Sequence, residues 1–165
     1  MTSSSSEQSS HCPERRRCEA PAVNTPPFPW VEPTLPILDA GFSPAGVEWE
    51  FRAGRVGDLV KMQVFTAVGG GGCGGTGLPL GCVLRVKWRG WHGSGVRTLA
   101  AEVDKSVEEA VAILEDGSEQ RARVVRAPGL DFDFVFVLVD GLDPVAIRVK
   151  TLDGSTYSEA IEAPA

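Results

Sequence analysis

Residues 107–126 read VEEAVAILEDGSEQRARVVR, two strand-like stretches that meet at Asp116-Gly117. An Asp-Gly pair tolerates positive φ, so this run predicts a β-hairpin closed by a two-residue type I′ turn. The stretch that follows, 132–139 (FDFVFVLV), is apolar at both parities except for Asp133. That pattern suits a central strand covered on both faces, with Phe134, Phe136 and Leu138 in the core and Val135 and Val137 beneath another element. The only helical alternative is Val103–Leu114, whose acidic and Ala-rich residues could form two or three turns.

Working outward, the period stays at two. Val47, Trp49 and Phe51 face one way while Glu48, Glu50 and Arg52 face the other. Residues 59–68 (LVKMQVFTAV) and 82–89 (CVLRVKWR) read as further strands, the latter with Leu84, Val86 and Trp88 inward and Arg85, Lys87 and Arg89 on a solvated face. Residues 97–103 add a short edge strand, 145–152 alternate again, and Asp153-Gly154 turns the chain into a last strand at 155–162. The expected fold is therefore all-β, an antiparallel β-sandwich, immunoglobulin-like or similar, of about eight strands.

Ahead of it, residues 1–45 hold a serine run, the triplet Arg15–Arg17 and eight of the twelve prolines. Proline removes backbone donors, and the polar remainder buries too little to offset the entropy of ordering, so a disordered Pro/Ser-rich arm over 1–45 is expected before a sandwich domain over 46–165. Phe28, Trp30, Leu35, Ile37 and Leu38 give the end of that arm apolar residues with which to lie against the domain or a partner. The first thirty residues carry no apolar signal-peptide centre and no run of eighteen apolar residues exists, so a cytoplasmic location without a membrane partner is expected.

The net charge is -6, and it is unevenly spread: residues 1–58 sum to -3, 59–101 to +5 and 102–165 to -8. This balance argues against nucleic acid as a partner; a basic middle and an acidic end are most simply sheet neighbours that offset one another.

Motifs with chemical potential are few. The run 69–77 (GGGGCGGTG) contains Gly72-x-Gly74-x-x-Gly77 after a strand, yet Leu78-Pro79-Leu80-Gly81 and another strand follow where a dinucleotide site needs a helix N-terminus. A glycine-rich loop making a flexible hairpin connection is the expectation, with no cofactor. Nucleophilic catalysis needs a base, and the chain offers only His11 and His92. In WRGWHGSG, Trp91 and His92 beside Arg89 could form a flat platform for a sugar or a partner's apolar side chain. Asp131, Asp133, Asp140, Asp143 and Asp153 match no calcium loop and read as solvated turn residues. Cys12, Cys18, Cys73 and Cys82 lack the short knuckle spacing of structural zinc, so no metal is expected. Cys73 and Cys82 flank a glycine-rich stretch joining two strands, which makes them a disulfide candidate.

The run from Val103 to Ala160, with "VAILEDGSEQRARVV", "FDFVFVLVDG" and "VAIRVKTLDGS", resembles a β-sandwich domain that recurs in uncharacterised proteins of GC-rich actinobacteria. The resemblance covers about the last third of the chain and implies a fold built of strand, Asp-Gly turn and strand units. It implies no activity and no functional residues. The functional expectation is a non-enzymatic module that binds or supports another protein. The alternatives are a carbohydrate or small-ligand module using Trp91, His92 and Arg89, and a hydrolase whose site is not identified.

Overall fold

The computed structural model describes residues 7–9, 18–19, 35–92 and 95–161. In chain order the strands are β1 (Glu7–Ser9), β2 (Cys18–Glu19), β3 (Ile37–Phe42), β4 (Glu48–Val56), β5 (Leu59–Thr66), β6 (Gly69–Gly75) and β7 (Leu84–Trp91). They continue as β8 (Val96–Val103), β9 (Val107–Leu114), β10 (Glu119–Val125), β11 (Asp133–Asp140), β12 (Pro144–Thr151) and β13 (Thr156–Ala160). The fold is all-β, two antiparallel sheets packed as a sandwich, and Val107–Leu114 is a strand. One sheet runs β3-β4-β5-β6; the other runs β1-β13-β12-β9-β10-β11-β8-β7-β2, with β1 and β2 added in parallel at its two edges. The ordered unit thus starts ahead of residue 46, since β3 and Leu35 belong to it. The rest of the expected arm up to residue 34, apart from β1 and β2, lies outside the described residues.

The larger sheet has a core on each of its faces. Toward the small sheet, Phe134, Phe136 and Leu138 of β11 meet Trp49 and Phe51 of β4, with ring centres 4.8 Å apart for Trp49–Phe136 and 5.1 Å for Phe51–Phe134. On the opposite face, Val135, Val137 and Val139 pack with Leu99, Ala112 and Ile147 in an aliphatic cluster fed by β7 to β12. That face curls on itself far enough for the Glu159 carboxylate on β13 to accept the Val86 N–H of β7 at 3.0 Å. The both-sided burial expected of 132–139 follows directly.

Four local expectations change. Residues 96–103 form a central strand between β7 and β11, because Leu99, Ala101 and Val103 fill the curl while Val96 and Ala100 face the small sheet. The hairpin at Asp116-Gly117 closes through three residues, 115–117, bounded by a Leu114 N–H to Ser118 carbonyl bond; only its last position needs positive φ, and Gly117 supplies it at 83°. The glycine run is a strand, β6, paired with β5 along its whole length, in place of a flexible connection. Its composition has a packing reason: a Cβ on Gly71 would sit 2.3 Å from the Trp88 ring, so only a bare backbone can pass over that indole.

The fourth change concerns the basic residues of β7. A bulge between Val86 and Trp88 reverses side-chain parity. Leu84 and Val86 enter the curl, whereas Trp88 enters the aromatic core. Arg85, Lys87 and Arg89 are all buried, not solvated, because the sheet is covered on both faces: Arg85 donates to the Gly77 carbonyl, Lys87 lies beside Gly75 of β6, and Arg89 sits at the end of the curl.

Candidate functional site

After the bulge, β7 points Arg89 and Trp91 into the open end of the curl. Cross-strand pairing places Arg97 of β8 opposite Trp91, and the turn after β11 supplies Asp143. Asp143 Oδ1 accepts from Arg97 Nε at 2.6 Å and from Trp91 Nε1 at 3.4 Å, and the Arg89 guanidinium lies 4.0 Å from the Trp91 ring centre. The Arg97 contact, with Trp91 and Arg89 assisting, holds the Asp143 carboxyl below the usual carboxylate range despite the opposing effect of burial. Arg89 thus covers one face of the Trp91 ring.

His92 sits on the other parity, facing the small sheet beside Gly69. Its Nε2 is 2.9 Å from Thr98 Oγ1, which also accepts from Trp88 Nε1 at 3.0 Å. Trp can only donate, so the Thr98 hydroxyl proton is available to His92, whose Nε2 then accepts as a neutral ring. Burial lowers the His92 pKa, in keeping with that state. Thr98 is 0% exposed, so this hydroxyl has no access to a substrate. The structure brings Arg89 and Trp91 together and puts His92 on the opposite face.

Two buried ionic groups escaped the sequence reading. Arg85 and Lys87 share Glu102 Oε1 between the sheets, at 3.0 and 3.7 Å. Burial, opposed by Glu102 and reinforced by Arg85, lowers the Lys87 pKa. Arg85 Nε and Glu102 Oε2 have no hydrogen-bond partner among the described residues, an arrangement that costs about 1–3 kcal/mol per orphaned group. At the far end of the curl Asp133, expected as a solvated turn residue, is 1% exposed and accepts from Lys105 at 3.0 Å, Arg126 at 2.8 Å and the Ala127 N–H at 2.8 Å. Burial pushes its carboxyl up, but these three donors outweigh it and hold the pKa down.

The widest apolar exposure lies elsewhere, on the outer face of the small sheet. Among the described residues eight large apolar side chains are exposed, and five of them, Ile37, Phe42, Leu59, Phe65 and Val68, belong to this sheet or its β5–β6 turn. Phe42 is 70% exposed. A shallow groove of about 450 Å³ runs beside Phe65, whose ring lies 5.6 Å from the Arg52 guanidinium, itself bonded to Glu50 at 3.0 Å. The sequence signal for this face was the outward parity of Glu48, Glu50 and Arg52; Phe42 was missed because it fell within the expected arm, and Phe65 because 59–68 was read as a strand without a facing.

Cys73 in β6 and Cys82 before β7 are both disulfide-bonded. No three His, Cys, Asp or Glu side chains among the described residues gather as a metal site, and no helix among them is long and apolar enough to cross a membrane. No family model matches the chain, and neither the curated proteins nor the solved structures contain a match to it.

Proposed function

We propose that this chain is a non-enzymatic β-sandwich module that binds another protein through the outer face of its four-stranded sheet. The observation that carries the reading is the gathering of Phe42, Ile37, Phe65 and Leu59 on one sheet face, beside a groove with charged walls. Exposed apolar residues scattered singly are ordinary, whereas here four stand on one sheet face, on the two strands that flank the charged outward row Glu48, Glu50 and Arg52 of β4. The actinobacterial sandwich resemblance implies no activity of its own. A carbohydrate platform at Trp91 draws less support, because Arg89 lies over that ring and His92 faces the other way. The hydrolase alternative draws less support as well, since His92 is paired with a fully buried threonine. The disulfides at Cys73 and Cys82 favour an oxidising compartment over the cytoplasm that the first thirty residues suggest.

A photo-crosslinking residue at position 42, compared with one at position 121 on the exposed part of β10, tests the reading in the native host. Cross-linked protein is expected from position 42 alone. Equal yields from both positions, or none from either, would remove the small-sheet face from consideration.

A further inference from the structure

Cys73 and Cys82 both carry disulfides, yet the strands hold the two residues apart. Cys73 stands midway along β6, with its sulfur 3.9 Å from the Lys87 carbonyl in the middle of β7. Gly71 of β6 lies over the Trp88 ring, and beyond the strand's end the Gly77 carbonyl accepts from Arg85, so β6 follows β7 back toward its start. Cys82 lies ahead of that start. Val83 already belongs to the ladder with β8, since its carbonyl accepts the Asp104 N–H one step past the Leu84–Val103 pair. The four steps from Val83 to Lys87 cover about 13 Å of extended strand. A disulfide joins Cα atoms no more than about 7 Å apart, so a Cys73–Cys82 bond would have to fold that stretch back on itself.

A nearer partner is at hand. The short strand β2 lies alongside β7 in parallel, with Cys18 opposite Trp88 and Glu19 opposite Arg89. Trp88 is the residue next to the Lys87 carbonyl that Cys73 touches, and β2 is itself in contact with β6. Neighbouring strands stand about 4.8 Å apart, so Cys18 and Cys73 reach one point of β7, the first from its edge and the second from across its face.

We propose that Cys18 and Cys73 are joined by a disulfide, which leaves Cys82 to Cys12, and that the Cys18–Cys73 bond is a redox-sensitive latch on the edge of the larger sheet. Closing it takes two protons and two electrons from the two thiols; a disulfide oxidant such as oxidised glutathione accepts them and leaves as two thiols. The latch has something to hold. Around Val86 the outer side of β7 is met by β13, whose Glu159 carboxylate takes the Val86 N–H, while at Trp88 and Arg89 its neighbour on that side is β2. An uncovered edge presents backbone donors and acceptors to any passing strand. The first residues of a chain stay in place only where something ties them down, and β2 has two residues with which to do it. A covalent tie from β2 to the small sheet supplies the rest, and reduction uncovers the edge of β7 without disturbing its pairing with β8.

Peptide mapping of the full oxidised chain, without reductant and with any thiols blocked, tests the pairing. Cleavage after Arg17 and after Leu80 puts the four cysteines on separate peptides. One linked product holding Cys18 with Cys73, and one holding Cys12 with Cys82, are expected. A product joining Cys73 to Cys82 or to Cys12, or a covalent dimer, overturns the inference. In Cys18→Ser, Cys73 is expected to take up iodoacetamide while Cys82 stays protected; labelling of Cys82, or of neither, also overturns it. Hydrogen exchange reads the latch itself. In Cys18→Ser the peptide covering residues 88–91 is expected to exchange about tenfold faster than in wild type or more, while β5 keeps its wild-type rate. Exchange at 88–91 that matches wild type would show that β2 holds its place without the bond, and the latch would fall. Thermal melts confirm that the variant folds.

Discussion

The two faces of β11 bury comparable lengths of the same strand with different chemistry. Facing the small sheet are Phe134, Phe136 and Leu138, among Trp49, Phe51, Trp88 and Phe132; facing the curl are Val135, Val137 and Val139, among alanines, leucines and Ile147. Two stacked sheets stand about 10 Å apart, and large rings fill that gap, especially where the opposing strand is bare glycine. The interior of a tightly curled sheet is narrow and takes small branched residues. Side-chain size at alternate positions therefore reports which enclosure a strand face lines.

The largest way to break this contrast is on the aromatic side. Phe136→Ala is expected to cost about 3–5 kcal/mol, because the ring is held by Trp49 and Phe51 and the small sheet cannot collapse into the void without losing its glycine-on-indole contact. Urea melts followed by tryptophan fluorescence measure it. A loss below about 1 kcal/mol would show that the two sheets do not depend on one another.

Reduction comes next. Cys73 packs against the aromatic core, with its sulfur 3.9 Å from the Lys87 carbonyl, so reducing the disulfides is expected to loosen β6 first, at a cost of about 2–4 kcal/mol for each bond lost. Neither Cys73 nor Cys82 is expected to take up an alkylating agent in the folded, unreduced protein. Non-reducing peptide mapping identifies their partners. Hydrogen exchange after reduction is expected to rise in β6 while β8 and β11 stay protected.

On the curl side the strongest single effect is electrostatic. Asp133→Asn removes the charge that Lys105 and Arg126 share, and both partners are about half exposed, so the cost is held to about 1–3 kcal/mol by solvent. The sign of the pH effect is fixed by the direction of the shift. A carboxylate with a lowered folded pKa stabilises fully above its unfolded value, near 4, and that contribution is lost as pH falls through the folded value. Wild type is therefore expected to lose stability below about pH 4 more steeply than Asp133→Asn. Parallel acid melts of the two proteins would contradict this. The smallest effect is Ile147→Val in the aliphatic cluster, about 0.5–1.5 kcal/mol in the same melts.

Much of the architecture was legible because alternation is a direct image of burial. Trp49, Phe51, Ile147 and the doubly apolar β11 stand where their parity put them. Two of the failures have a plain physical cause. A bulge adds a residue without leaving a mark in composition, so Trp88 is buried as its parity led one to expect but in the opposite core from Leu84 and Val86. Glycine has no side chain to show period two, so β6 was read as a connection although its neighbours demanded a bare strand. At the candidate site, Arg89 and Trp91 were found from their proximity in sequence. Arg97 and Asp143, which complete the group, were not, because they reach it only through sheet pairing and a turn. The exposed face of the small sheet was half legible: the charges of β4 were placed outward, whereas Phe65 was given no facing and Phe42 fell within the expected arm.

The position of β11 between the two cores also bears on how fast the molecule reaches its native state. Its longer pairing is with β8, and even the nearest partners, Val103 and Asp133, are thirty positions apart, with the β9–β10 hairpin lying between them. Neither core can close until that pairing forms, so the chain pays the entropy of a long loop before any ring or aliphatic contact rewards it. Refolding is therefore expected to be slow, on the order of milliseconds to seconds, and governed by one event in the middle of the larger sheet. The hairpin at Asp116-Gly117 forms early and shortens the effective loop; weakening that turn would delay both cores together, whichever face of β11 was being watched.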